Sequence, residues 1–141
     1  MSAAAAVSIR LAVPTEADSL LALWQASGAS PSSTDTVEHV TAAIGWPGCS
    51  VLVAESGGRL AGSLVAAWDG WRGNMYRLAV LPEFRHAGIA TALVREGEAR
   101  LVERGVRRVA AIVLGEPAAT AFWEQAGYSL QGEARRMVKA L

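Results

Sequence analysis

Between Ser50 and Leu81, three runs rich in apolar and β-branched residues follow one another with very little between them. Gly57-Gly58 separates the first run from the second, and Asp69-Gly70 separates the second from the third. Both dipeptides suit the tight turns that join antiparallel strands. Ser50 to Glu55, Leu60 to Trp68 and Met75 to Leu81 are therefore predicted to form a meander. After Pro82 the period changes. Ile89, Ala92, Leu93, Ala99, Leu101 and Val102 recur at helical spacing until Gly105 stops them. Val109 to Leu114 is then an unbroken apolar run, the pattern of a strand buried on both faces. A chain built in this order can be neither all-α nor all-β.

The flanks extend the pattern. Ser8 to Val13 reads as a strand, and Thr15 opens a helix whose apolar face is Leu20, Leu21, Leu23 and Trp24, ended by Gly28. Asp35 to Ile44 reads as a second helix and Ala118 to Gln125 as a later one, capped at Gly127. Tyr128 to Leu130 and Arg135 to Val138 are candidate closing strands. The expected fold is α/β of the mixed α+β kind. It has a central, mostly antiparallel mixed sheet of six or seven strands with helices on both faces. No repeat or linker divides the chain, so residues 1–141 are expected to form a single domain with its core over about 8–141.

Composition narrows the function. Thirteen basic residues balance thirteen acidic ones, whereas a protein that grips nucleic acid through phosphates carries surplus positive charge. No nucleic-acid partner is expected. No run reaches the roughly 18 apolar residues of a membrane span, and residues 1–7 lack the basic leader of a signal peptide. A cytoplasmic protein without a membrane partner is the default. Cys49 is the only cysteine, and His39 and His86 stand far apart, so no metal centre is expected.

The chemistry concentrates in Leu78 to Val94 (LAVLPEFRHAGIATALV), where a strand runs through a short loop into the long helix. The first-turn N–H groups of a helix lack intrahelical partners, and the helix dipole adds positive potential there, so such a terminus suits an anion. Gly88 and Ala90 remove bulk above the main chain, and Arg85 offers a charge-assisted contact. The spacing matches neither G-x-G-x-x-G nor the G-x-x-x-x-G-K-[ST] loop. Gly88 read alone fits close packing at a helix start equally well.

With its neighbours, this segment resembles the acyl-CoA-dependent N-acetyltransferase (GNAT) superfamily. Arg85, Gly88 and Ala90 match its pyrophosphate motif [Q/R]-x-x-G-x-[G/A]. Ile9 to Trp24 is similar to its first strand and helix, and Val53-Ala54-Glu55 with Gly62-Ser63-Leu64 to its central hairpin. Ala119-x-x-Phe122-Trp123-Glu124-x-x-Gly127-Tyr128 is similar to its late element. The resemblance implies acetyl-CoA as cosubstrate and a primary amine of a small molecule as acceptor, attacking directly without a covalent acyl-enzyme. It also implies that the pantetheine arm pairs with a splayed strand through Leu78, Ala79 and Val80. The pyrophosphate would lie on Arg85, His86, Ala87, Gly88, Ile89, Ala90 and Thr91, with Trp123 also among the cofactor contacts. A backbone N–H, that of Leu78 or a neighbour, would polarise the thioester carbonyl.

Trp123 stands where the family's frequent acid is Tyr, and an indole N–H is too weak an acid to reprotonate a thiolate. Tyr128 and Tyr76 are the phenols available, and Tyr128 is the candidate acid. Glu55 is the candidate base, with Asp69 and Glu116 as alternatives. His39 on the second helix and an aromatic set of Trp46, Trp68 and Trp71 could line the acceptor side. For the tryptophans, core packing or a homodimer contact is the competing reading. Two further readings compete with the small-molecule one. One is a protein or peptide acceptor, the other a non-catalytic acyl-CoA sensor, to which Trp123 lends support.

Overall fold

The computed structural model describes residues 6–113 and 117–141 and divides the chain into two compact units, Met1–Ala111 and Ile112–Leu141. In the first unit, β1 (Val7–Leu11) precedes a 3-10 turn (Pro14–Glu16) and α1 (Ala17–Ser27). α2 (Val37–Gly45) and the strands β2 (Cys49–Ser56), β3 (Arg59–Trp68) and β4 (Gly73–Val80) follow. A 3-10 turn at Pro82–Phe84 then leads into α3 (Ile89–Glu103), and β5 (Val109–Ala111) closes the unit.

The sheet runs β1-β2-β3-β4-β5, antiparallel except for the parallel β4–β5 pair. Successive strand residues point to opposite faces, and here both faces are covered. Val51 and Val53 join Leu20, Leu23, Trp24 and Val40 in a core under α1 and α2. On the opposite face, α3 comes down so closely that a Cβ on Gly97 would lie 3.0 Å from both Leu64 and Met75. Gly62 does the same for the first turn of α3, where an added Cβ would meet Ile89 at 3.2 Å and the Ala79 carbonyl oxygen at 2.9 Å.

The meander, the helix after Pro82 and helices on both faces are as the sequence implies. The sheet departs from expectation at its end. It has five strands among the described residues rather than six or seven. Residues 128–130 and 135–138 form no strand there, and Met137 and Val138 are exposed instead of packed, so neither run has the buried face that stabilises a strand. β5 is shorter than Val109 to Leu114 and is not buried on both faces, since Ala110 is exposed. It is the edge strand of the sheet and pairs on one side only among the described residues.

In the second unit, α4 (Pro117–Gln125) ends at Gly127, whose φ of 98° reverses the chain. The Tyr128 amide donates to the Trp123 carbonyl at 2.9 Å.

Candidate active site

β4 and β5 share only three residue pairs, from Gly73↔Val109 to Met75↔Ala111. Beyond Met75, no described strand covers the outer edge of β4 through Val80. Along a strand, backbone polar groups alternate between the two edges. The Gly73 amide donates to the Arg108 carbonyl at 3.0 Å, so before the bulge odd-numbered residues face the β5 side.

A β-bulge then changes the parity. Val65 pairs with Tyr76 and Ser63 with Ala79, so Arg77 and Leu78 together oppose Leu64. After the bulge, the Leu81 amide donates to the Ala61 carbonyl on the β3 side at 2.9 Å. Even-numbered Leu78 and Val80 therefore present their main chain to the open edge. Without the extra residue, Arg77 and Ala79 would do so.

Arg77 takes up the bulge with φ of 53°, a left-handed conformation costly for a residue with a Cβ. Its carbonyl accepts from Ser63 Oγ at 3.0 Å. Ser63 Oγ in turn accepts from Trp24 Nε1 at 2.9 Å. Ser63 is wholly buried, and a hydroxyl that both donates and accepts satisfies the cost of its burial.

From Val80 the chain turns through Pro82–Phe84 towards α3. His86 has φ of 64° and Gly88, the N-cap of α3, φ of 81°, while Ala87 between them is not positive. Alternation of this kind turns successive N–H groups towards a common side, the basis of backbone anion nests. The Ala92 amide makes the first bond back to the Gly88 carbonyl at 3.0 Å, so the first-turn amides of Ile89, Ala90 and Thr91 precede the helical ladder. A Cβ on Gly88 would meet nothing within 4 Å, so the space above the loop is open. Arg85 is partly committed elsewhere. Its Nε donates to the Val80 carbonyl at 3.1 Å and its Nη2 to the Ser27 carbonyl at 3.0 Å, so it braces the end of β4 against α1.

Of the acid–base candidates in the first unit, Tyr76 adjoins the bulge, paired with Val65, whereas Glu55, Asp69 and His39 make other bonds. Glu55 lies opposite Leu60, four residues from Leu64, or roughly 13 Å along the sheet. Its carboxylate is 3.1 Å from Arg10, which is also paired with Glu16 at 2.8 Å. Glu55 is thus part of an ion cluster with Arg10, 45 residues away in sequence. Asp69 Oδ1 accepts from the Trp71 and Arg72 amides at 2.9 and 2.8 Å. These bonds, that of Arg72 foremost, hold its carboxyl below the usual range, the wrong direction for a base near neutrality. His39 is tied to the cap of α2, with Nδ1 2.8 Å from Thr36 Oγ1. Glu116 lies outside the described residues. Burial pushes the Cys49 thiol up, away from nucleophilic use.

Trp46 and Trp71 are exposed on the connections that flank the far end of β3. Trp71 stacks under Arg72 and Trp68 under Arg104, with centroid distances of 4.0 and 4.8 Å. Trp68 pairs with Gly73, again roughly 13 Å along β3 from Leu64. In the second unit, Trp123 is buried and packs edge-on against Tyr128 at 4.8 Å and Phe122 at 5.5 Å. Sequence reasoning missed Ser63, Arg77 and Asp35. A polar residue inside the apolar run Leu60 to Trp68 was the signal for Ser63.

The model of the Acetyltransferase (GNAT) family matches residues 18–128. The chain belongs to that family. It is 36% identical over 91 residues to an acetyltransferase of Sodalis glossinidius (strain morsitans), a match covering 64% of each chain. It is 42% identical over 71 residues to an acetyltransferase of Photorhabdus laumondii subsp. laumondii, covering 50% of each. The matches thus span less than two thirds of either relative. In fold, the chain resembles the PaiA N-acetyltransferase of Thermoplasma acidophilum, solved with coenzyme A. The TM-score is 0.80 at 16% identity, covering 89% of this chain and 91% of that one. A metagenomic aminoglycoside acetyltransferase in complex with sisomicin gives 0.79 at 17% identity, covering 96% of each chain. No helix among the described residues is long and apolar enough to cross a membrane.

Proposed function

We propose that this chain transfers an acetyl group from acetyl-CoA to a primary amine of a small molecule by direct attack of the amine. The observation that carries the reading is the continuous main-chain track from the open edge of β4 to the first turn of α3. Leu78 and Val80 offer strand-like hydrogen bonds to an extended pantetheine arm, with Ala79 between them facing β3. His86 to Thr91 offer amides, helix-dipole potential and unobstructed approach to a diphosphate. The residues fit the group.

Bound there, acetyl-CoA supplies the activated thioester carbonyl. The rest is the chain's own work. The peptide between Arg77 and Leu78 is planar and trans, so its C=O and N–H point in opposite directions. The C=O is held by Ser63, so the Leu78 N–H points away from Ser63 and is fixed before any carbonyl arrives. A preorganised donor of this kind stabilises negative charge developing on a carbonyl oxygen. Tyr128 is the proposed proton donor to the departing thiolate, because a phenol is the stronger acid and the neighbouring Trp123 is only a hydrogen-bond donor; the proton lost by the acceptor nitrogen passes through water and restores the phenol.

A small acceptor is favoured by the β3–β4 connection. It is a tight turn closed on Asp69, with little chain to wall a peptide groove. The test is thiol release from acetyl-CoA with a panel of small primary amines and, separately, with peptides bearing free N-termini. Turnover with amines supports the proposal. Turnover with peptides alone overturns the acceptor class, and CoA binding without turnover on either panel establishes the sensor reading.

A further inference from the structure

We infer that Arg77 is a positioning residue that locks the carbonyl-polarising N–H of Leu78 and the α1–α2 connection into one unit. The inference rests on the acyl-transfer reading above. Arg77 is one of two non-glycine residues with positive φ among those described, and it sits at the bulge where β4 has parted from β5. A left-handed arginine persists only where its surroundings hold it. Here both ends are held.

The backbone end is fixed by the buried chain Trp24 Nε1 to Ser63 Oγ to the Arg77 carbonyl. The side-chain end is fixed by a bidentate pair, Arg77 Nη2 with both Asp35 oxygens at 2.8 and 3.0 Å. Arg77 Nη1 also donates to the Ser30 carbonyl at 3.0 Å. The guanidinium lies over the Trp24 ring at 5.0 Å, so Trp24 supports both ends. The pair is about four-fifths buried on each side, which sets it apart from the exposed Arg59–Glu83 pair. Ser30 and Asp35 lie on the connection between α1 and α2, which has no regular structure of its own. Through Arg77, the position of that connection and the direction of the Leu78 N–H are set together. A shift of the connection turns the N–H.

The test uses the full chain with Asp35→Asn, its conservative counterpart Asp35→Glu, and Arg77→Gly, which keeps the left-handed backbone without the tether. Amide exchange is followed by NMR at Leu78 and at Ser32 to Asp35, with Leu93 in α3 as reference. CoA affinity is measured by calorimetry, and kcat and KM by thiol release with acetyl-CoA and the best amine of the panel. In Asp35→Asn and Arg77→Gly, exchange at Leu78 and in the connection rises together by about tenfold while Leu93 is unchanged. In the same variants kcat falls about 10- to 100-fold with CoA affinity within about twofold, as loss of alignment requires. Asp35→Glu recovers most of both.

Unchanged Leu78 exchange and kcat in Asp35→Asn, with normal CoA binding, overturn the assignment alone. Equal loss of protection at Leu93 also overturns it, because the pair is then only structural. A wild-type chain that binds no CoA overturns the acyl-transfer reading and this assignment with it.

Discussion

Ser63→Ala removes one oxygen atom and tests how the bulge is held. Ser63 is wholly buried and Trp24 is 6% exposed, so water cannot replace the lost hydroxyl. The substitution leaves the Trp24 indole N–H without an acceptor and the Arg77 carbonyl without its Ser63 donor. An orphaned buried donor costs about 1–3 kcal/mol, against about 1 kcal/mol for an average hydrogen bond. For a chain of this length, 1 kcal/mol moves Tm by about 3–4 °C, so the expected fall is about 3–12 °C. Calorimetric or circular-dichroism melts of Ser63→Ala, Trp24→Phe and the double variant separate the bond from the packing. Because Trp24→Phe removes the orphaned N–H, the double variant should lose about 1 kcal/mol less than the two single losses together. Strict additivity, or a Ser63→Ala melt within about 1 °C of wild type, means that Ser63 does not hold the bulge.

Four further outcomes follow from the same geometry. Gly62→Ala places a Cβ 2.9 Å from the Ala79 carbonyl oxygen, which is backbone and cannot swing aside, so denaturant unfolding shows a loss of about 1–3 kcal/mol. The Arg10 guanidinium holds the Glu16 carboxyl below its ordinary range. The stability this contributes is complete only well above the ordinary glutamate value of about 4.5, and is lost as the pH falls from there through the depressed value. Glu16→Gln should therefore flatten the acid limb of a Tm–pH curve below pH ~4 and lower Tm at neutrality. Tyr128→Phe reduces kcat by about 100-fold with CoA affinity retained, and an unchanged kcat shows that the thiolate leaves without this acid. Gly88→Ala, with open space but a left-handed backbone, weakens CoA binding less than any charged substitution there, as calorimetry would show.

The meander, α3 and the loop between them were legible because their signals are local. Glycine turns, the change of period at Pro82 and the Arg85–Gly88–Ala90 spacing each act within a few residues. The bulge was not legible, because left-handed positions are marked by Gly or Asn and Arg77 bears no such mark. Its cause is distant, divided between Ser63, Trp24 and Asp35. Leu78 and Val80 were named from the family pattern, yet their outward direction depends on that unseen extra residue. The partner of Glu55 was hidden for a related reason. A carboxylate at a strand end looks free until Arg10, 45 positions earlier, is brought beside it. Strand ends beyond Ala111 depend on pairing partners that periodicity does not reveal.

Acyl transfer as proposed requires the main-chain amides of His86 to Thr91 to hold the diphosphate of coenzyme A. Calorimetric titration of CoA into the wild-type chain and Gly88→Glu tests this most directly. Saturable binding to wild type is expected, with a loss of about 100-fold or more in Gly88→Glu, roughly 2.7 kcal/mol, from bulk and negative charge placed over those amides. Equal affinity in the two chains would contradict it.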